Sequence, residues 1–223
     1  MRNTPKTHIK EIFTSIQGEG VCVGEKHIFV RFCKCNLKCA YCDTDFSYAN
    51  AKEYTIDELY ERLKDVNCET ISFTGGEPLS DIEFLLEFLK RYKNKLNKKI
   101  YLETNGTLYQ NFVQIIDFVD IVAMDIKLES ATRQRNRYFE NEKFLHLAQR
   151  KELFIKVVFD ENINEAEIDE VARLAKTYKR GIILQPKMPI NNNVNLYEIF
   201  EKFYSKHKDT RLICQTHKFL NLQ

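Results

Sequence analysis

Ile28-Phe29-Val30-Arg31-Phe32-Cys33-Lys34-Cys35-Asn36-Leu37-Lys38-Cys39-Ala40-Tyr41-Cys42 runs from an apolar, β-branched segment directly into three closely spaced cysteines. Ile28 to Phe32 reads as a short buried strand. Cys35, Cys39 and Cys42 follow it in the spacing C-x3-C-x2-C, which holds three thiolates on one compact loop. Three thiolates can ligate three irons of a [4Fe-4S] cube and leave the fourth iron open to a small chelating molecule. Two other readings stay open. Structural zinc takes four protein ligands, commonly as paired C-x2-C units, and no second pair is present. A redox C-x-x-C uses Cys39 and Cys42 and leaves Cys35 idle.

Further short apolar runs recur outward from this stretch: Thr70-Phe73, Ile100-Leu102, Ile121-Met124, Leu153-Phe159, Gly181-Leu184 and Leu212-Cys214. Helical patterns separate many of them. Thr55-Ile56-Asp57-Glu58 and Ser80-Asp81-Ile82-Glu83 are capping-box patterns, and Ile82, Leu85, Leu86 and Leu89 share a helical face. Asn164 is placed to cap a helix carrying Ile168, Val171, Ala172 and Ala175. Leu196, Ile199, Phe200 and Phe203 repeat the spacing. Alternating strands and helices imply an α/β fold with a parallel sheet, whose strand C-termini carry the site. The polar or glycine-rich motifs fall there: the cysteine loop, Gly75-Gly76-Glu77-Pro78, Glu103-Thr104-Asn105-Gly106, Asp125-Ile126-Lys127 and Gln185-Pro186-Lys187.

At 223 residues the chain is expected to form a single domain, residues 1–223. Its 34 basic and 32 acidic side chains give a net charge of +2, which makes no case for nucleic acid or an anionic membrane. No apolar run approaches the length of a spanning helix, and the first residues show no leader-like segment. With seven cysteines, an odd number, a disulfide framework is not expected, and a cytoplasmic location is. Cys22, Cys33, Cys68 and Cys214 read as small buried apolar residues. His8, His27, His146 and His207 have no neighbouring ligand pattern and read as ordinary surface or core residues. The basic stretch Lys90 to Lys99 reads as a solvated helix end, with a docking patch for an acidic electron donor as the other reading.

Thr74-Gly75-Gly76-Glu77-Pro78 together with C-x3-C-x2-C resembles the GGEP motif of radical S-adenosylmethionine enzymes. Within that superfamily, Glu11 to Gly20, Phe29-Val30-Arg31-Phe32, Cys42-Asp43-Thr44 and Gln215 to Leu220 resemble the 7-carboxy-7-deazaguanine synthases. One departure is Lys34, where that family often has Gly. The resemblance implies a shortened, partial (β/α) barrel that forms a homodimer. It implies conversion of 6-carboxy-5,6,7,8-tetrahydropterin to 7-carboxy-7-deazaguanine with release of ammonia, in queuosine or 7-deazapurine biosynthesis. The implied cofactors are a [4Fe-4S] cluster on Cys35, Cys39 and Cys42, S-adenosylmethionine, and Mg2+ on the hydroxyl of Thr44. The implied electron donor is a protein such as flavodoxin.

Site residues follow from the same resemblance. Ile16, Gln17, Gly18 and Glu19 are expected along the pterin edge, Arg31 at the substrate carboxylate, and Thr74 at the substrate. His217 and the end of the chain at Gln223 are expected to close the pocket. Tyr41, Cys42, Asp43 and Gly76 are expected at S-adenosylmethionine. So are the later segments Asp125, Ile126 and Lys127, and Gln185, Pro186, Lys187 and Met188. Glu103 and Asn105 either assist or shape a turn.

Overall fold

The computed structural model describes residues 4–42, 48–191 and 194–222. Among the described residues nine strands form one sheet: β1 Lys6–Ile16, β2 Lys26–Phe32, β3 Lys52–Thr55, β4 Thr70–Gly75, β5 Lys99–Thr104, β6 Ile121–Asp125, β7 Glu152–Phe159, β8 Ile182–Pro186 and β9 Thr210–Leu212. The helices are α1 Ile56–Leu63, α2 Ile82–Leu96, α3 Tyr109–Ile115, α4 Glu129–Thr132, α5 Tyr138–Leu147, α6 Glu165–Tyr178, α7 Leu196–Lys206 and α8 Thr216–Phe219. The sheet order is β3-β1-β2-β4-β5-β6-β7-β8-β9. From β2 onward every neighbouring pair is parallel, whereas β1 runs antiparallel to both β2 and β3. The order ends at β3 on one side and β9 on the other, as in an open, partial barrel.

The seven strands expected from apolar runs all form, shifted by one or two residues at their ends. β1 and β3 were not expected as strands of this length. Charged residues at Lys6, Lys10 and Glu11 interrupt the apolar pattern of β1, and a bulge between Ile9 and Glu11 breaks its two-residue alternation. The capping boxes at Thr55 and Asn164 are both complete. The box expected at Ser80 is not. A 3-10 turn over Pro78–Asp81 precedes α2, and Asp81 gives its side chain to Thr7 and Lys34 instead of to the helix N-terminus.

Alternation along the parallel strands sorts the two faces of the sheet. Val30, Phe32, Ile71, Phe73, Leu102, Val122, Ile155, Val157 and Leu184 are buried against the apolar stripes of the helices in the main core. Each large side chain buried there contributes about 1.5–3 kcal/mol. The opposite face is apolar mainly toward the strand N-termini, where Cys22, Tyr101, Ile121, Ala123, Phe154 and Ile183 form a small second core. Farther along the same strands this face turns polar, with Arg31, Thr74, Glu103, Asp125, Lys156 and Gln185. Their neighbouring registers, such as Arg31 beside Thr74 and Asp125 beside Lys156, bring them into one layer above that plug.

Candidate active site

Two cavities open over this polar layer. One, of about 330 Å³, is lined by the β1–β2 loop, by Arg31 and by His217 from α8. The other, of about 170 Å³, is lined by Cys35, Cys39 and Cys42 together with Gly75 and Gly76. Glu19, Arg31, Thr74, Glu103 and Gln215 line both, so the cavities adjoin across a shared wall.

The cysteine loop is locked to the glycine pair after β4. Lys34 offers its carbonyl oxygen to the Glu77 N–H at 2.6 Å, and its ammonium is paired with Asp81. A Cβ on Gly76 would lie 2.1 Å from the Lys34 oxygen, and Gly75 has φ +107°, so neither position has room for a side chain. Asn36 in the loop donates to Thr107 at 2.8 Å and accepts from Asn105 at 2.9 Å. Asn105 therefore shapes this framework. Glu77 is fully buried and accepts from the Leu79 and Asn105 N–H groups and from the Thr104 hydroxyl. Burial pushes its carboxyl up to about 7 against those three hydrogen bonds. In this chain the glutamate of the glycine-rich motif braces the turn.

The three thiols suit a cluster better than a single ion. All three line one cavity, yet among the described residues their sulfurs do not converge within 4.8 Å as ligands of one ion would. The Leu37 N–H points at Cys35 Sγ at 3.4 Å, the kind of contact that tunes a cluster thiolate. Burial pushes the Cys35 thiol up to about 11 and raises Cys39 as well, so metal ligation must displace those protons. The same cavity carries two buried acceptors that have no hydrogen-bond partner, Asp125 Oδ1 and Gln185 Oε1. Such buried acceptors call for donors, which hydroxyl or amino groups of a ligand in this cavity would supply.

Charge around this cavity is tightly paired. Lys127 donates to Asp125 Oδ2 at 2.8 Å and to Tyr41 Oη at 3.0 Å, and it sits over the Tyr41 ring. Lys156 donates to Glu19 Oε2 at 2.6 Å and lies 3.5 Å from Asp125. Gln215 completes Glu19 with a 2.7 Å bond to Oε1. Burial alone would push the Glu19 carboxyl up, but Lys156 and Gln215 outweigh it and hold the group down at about 2. Burial likewise pulls the Lys156 ammonium down, and Glu19 and Asp125 overcome that pull and raise it.

In the larger cavity, Glu103 accepts from Gln17 Nε2 at 3.1 Å and from Thr74 Oγ1 at 3.0 Å, while Gln17 Oε1 accepts from the Glu19 N–H. Arg31 donates from Nε to Glu11 at 2.5 Å and stands over the Phe13 ring, which commits one of its five N–H donors. Gly18 lies flush against His217: a Cβ there would be 2.3 Å from the imidazole Nδ1. The Thr216 N–H bonds the Gly18 carbonyl at 2.9 Å and fastens α8 onto the loop.

Of the residues expected at the site, Ile16, Gln17, Gly18, Glu19, Arg31, Thr74 and His217 line the larger cavity. Tyr41, Cys42, Gly76, Asp125, Lys127 and Gln185 line the smaller one. Ile126 does not reach it with its side chain, which is buried in the main core. Among the described residues, Pro186, Lys187 and Met188 line neither cavity. Asp43, Thr44 and Gln223 lie outside the described residues. Sequence reasoning passed over Lys156, Glu11 and Gln215. A lysine inside the apolar run Leu153–Phe159 was the available signal for the first, because a buried strand rarely carries an ammonium without a partner.

The Radical SAM superfamily profile matches residues 29–175. The chain is 30% identical to the 7-carboxy-7-deazaguanine synthase of Geobacter sulfurreducens, over 97% of this chain and 98% of that protein. It is 31% identical to the enzyme of the same name from Archaeoglobus fulgidus, over 98% of this chain and the whole of the relative. A crystal structure of QueE from Escherichia coli superposes with a TM-score of 0.67 at 22% identity, covering 95% of each chain, a likeness of fold. The chain belongs to the radical SAM superfamily and, within it, to the 7-carboxy-7-deazaguanine synthases.

Proposed function

We infer that the chain converts 6-carboxy-5,6,7,8-tetrahydropterin to 7-carboxy-7-deazaguanine, releasing ammonia by a radical ring contraction that serves queuosine or 7-deazapurine biosynthesis. The observation that carries this reading is the shared wall between a three-cysteine cavity and a pocket bounded by Gln17, Arg31 and His217. With a [4Fe-4S] cluster on Cys35, Cys39 and Cys42 and S-adenosylmethionine bound, that pair supplies a 5′-deoxyadenosyl radical. The chain's own residues do the rest by position. Arg31 offers its remaining guanidinium donors to the substrate carboxylate. Both carboxylate oxygens of Glu19 and of Glu103 are already engaged within the protein, so residues 16–19 read the pterin edge largely through backbone groups. Glu19 stays ionised throughout the neutral range. Asp125 Oδ1 and Gln185 Oε1 accept from the nucleoside side of the cofactor, while Lys127 holds Tyr41 against it.

The finer assignments rest on the family resemblance. Residues 1–223 form one radical SAM domain, and all nine strands entering one sheet supports that reading. The Thr44 hydroxyl would help to hold Mg2+, in keeping with the preference of Mg2+ for a few oxygens plus substrate groups. The enzyme works as a cytoplasmic homodimer and receives electrons from a protein such as flavodoxin. Among the described residues no helix is long and apolar enough to cross a membrane.

Anaerobic turnover of the iron-loaded protein with 6-carboxytetrahydropterin, S-adenosylmethionine and a reductant tests the reaction. The expected product is 7-carboxy-7-deazaguanine with equimolar ammonia, and its absence from fully loaded protein refutes the assignment. Thr44→Val removes the hydroxyl oxygen and keeps the shape. Loss of the response of turnover to added Mg2+ is expected, and an unchanged response removes Thr44 as a ligand.

A further inference from the structure

A second group of ligand atoms lies at the opposite end of the sheet from the cysteine loop. Cys22-Val23-Gly24-Glu25-Lys26-His27 leads from the turn after β1 into the first residues of β2, whereas Cys35 follows the end of β2. A thiol, a carboxylate and an imidazole from Cys22, Glu25 and His27 come within 4.8 Å of one another. Cys22 and His27 are buried, at 5% and 0% exposure, while the Glu25 side chain is 58% exposed and leaves a path from solvent.

His27 is the informative member. Its Nδ1 pairs with Ser72 Oγ at 2.7 Å. Its Nε2 is buried, faces Glu25 Oε2 at 3.5 Å and makes no hydrogen bond. In the tautomer with the proton on Nδ1, Ser72 accepts it and Nε2 is left as the free ligand atom, 3.5 Å from the Glu25 carboxylate. An outer hydrogen bond of this kind is what orients imidazoles that bind metals. The turn is held independently of any ion: Gly24 has φ +92°, the Glu25 N–H bonds the Cys22 carbonyl at 3.1 Å, and the Gln17 N–H bonds the Glu25 carbonyl at 2.7 Å. Tyr101 meets the His27 ring edge-on at 5.3 Å and packs with Cys22 in the apolar plug beneath the polar layer of the active site.

We propose that Cys22, Glu25 and His27 bind a divalent ion of the zinc class. One thiolate, one imidazole and one carboxylate are a borderline-soft set that suits Zn2+ and not Mg2+ or Ca2+. A thiolate and a carboxylate balance the two charges of the ion, so the buried site ends neutral. The Cys22 proton leaves to solvent on binding, and water completes four-fold coordination. The ion adds a side-chain tie between β2 and the already hydrogen-bonded loop that carries Gln17, Gly18 and Glu19, so its place in the molecule is structural.

The test uses the anaerobically reconstituted, iron-loaded protein equilibrated with Zn2+ and then desalted against a weak chelator. About one zinc per chain is expected, with iron content unchanged and a zinc absorption edge fitting one sulfur at about 2.3 Å and nitrogen or oxygen at about 2.0 Å. Glu25→Ala alters only an exposed side chain and is expected to weaken zinc roughly tenfold or more. Cys22→Ser is expected to remove the sulfur from the zinc shell. Wild-type protein that retains no zinc overturns the proposal. So does zinc uptake matched by iron loss, which would put the ion on Cys35, Cys39 and Cys42. So too does equal zinc affinity in Glu25→Ala, and that comparison stands even if Cys22→Ser fails to fold.

Discussion

Lys156 Nζ lies 2.6 Å from Glu19 Oε2 and 3.5 Å from Asp125 Oδ2, tying β7 to the β1–β2 loop across 137 positions of sequence. The ammonium is the counter-ion of Glu19, on the wall that the two cavities share, and joins Lys127 beside Asp125 in the smaller one. Removing it leaves the buried Glu19 carboxylate without its cation, while Asp125 keeps Lys127 at 2.8 Å. Lys156→Met is expected to cost about 3–5 kcal/mol by urea unfolding. Adding Glu19→Gln should recover part of that loss. A single variant as stable as wild type would show that the pair is dispensable.

Acid should attack the same pair. Glu19 is held at about 2, below its ordinary 4.5, so the unfolded chain binds this proton more tightly than the folded one. The stability it contributes is complete above about 4.5 and is lost as pH falls toward 2, by about 3 kcal/mol. Unfolding measured from pH 5 to pH 2.5 should fall more steeply for wild type than for Glu19→Gln, and parallel curves would contradict this.

Glu77 acts with the opposite sign. Burial holds it up at about 7, so the folded protein keeps the proton that the unfolded chain releases near 4.5. Its contribution is complete below about 4.5 and is lost as pH rises through about 7, again by about 3 kcal/mol. Stability at pH 5 should exceed that at pH 8, and Glu77→Gln should shrink the difference. A difference that persists in the variant assigns it to another group.

Gly18 and His217 meet without a gap. In Gly18→Ala the new Cβ would lie 2.3 Å from the His217 ring and 2.7 Å from both its Cβ and its backbone nitrogen. Lifting α8 off the loop is expected to cost about 1–3 kcal/mol and to weaken pterin binding. Adding His217→Ala should not rescue the variant, because the nitrogen and Cβ remain. Full rescue would show that the ring alone makes the contact.

The cluster ligands can be counted chemically. Cys35→Ala, Cys39→Ala and Cys42→Ala should each lose bound iron and sulfide. Cys68→Ala should keep them, since the Cys68 thiol donates to the Lys26 carbonyl at 2.9 Å, away from the loop. Full iron content in Cys39→Ala, or its loss in Cys68→Ala, contradicts the assignment.

What the sequence by itself determined is whatever neighbouring residues dictate. Short apolar runs specified the seven parallel strands, since burial on both faces leaves a continuous apolar signature. The caps at Thr55 and Asn164 were legible because such a cap is contained within four consecutive residues. The cysteine loop and the glycine pair were legible because their chemistry lies in their spacing. The edge strands β1 and β3 were not, because a half-exposed strand with a bulge carries no clean alternation. Ser80 looked like a cap, but a tertiary claim on Asp81 by Thr7 and Lys34 displaced that local preference. Only the tertiary structure chose which of the two faces each strand residue meets. That choice turned Lys156 from one letter in an apolar run into the counter-ion of Glu19, and it set a buried His27 Nε2 beside Cys22 and Glu25. Register across parallel strands is decided by long-range packing, and no short stretch of sequence contains it.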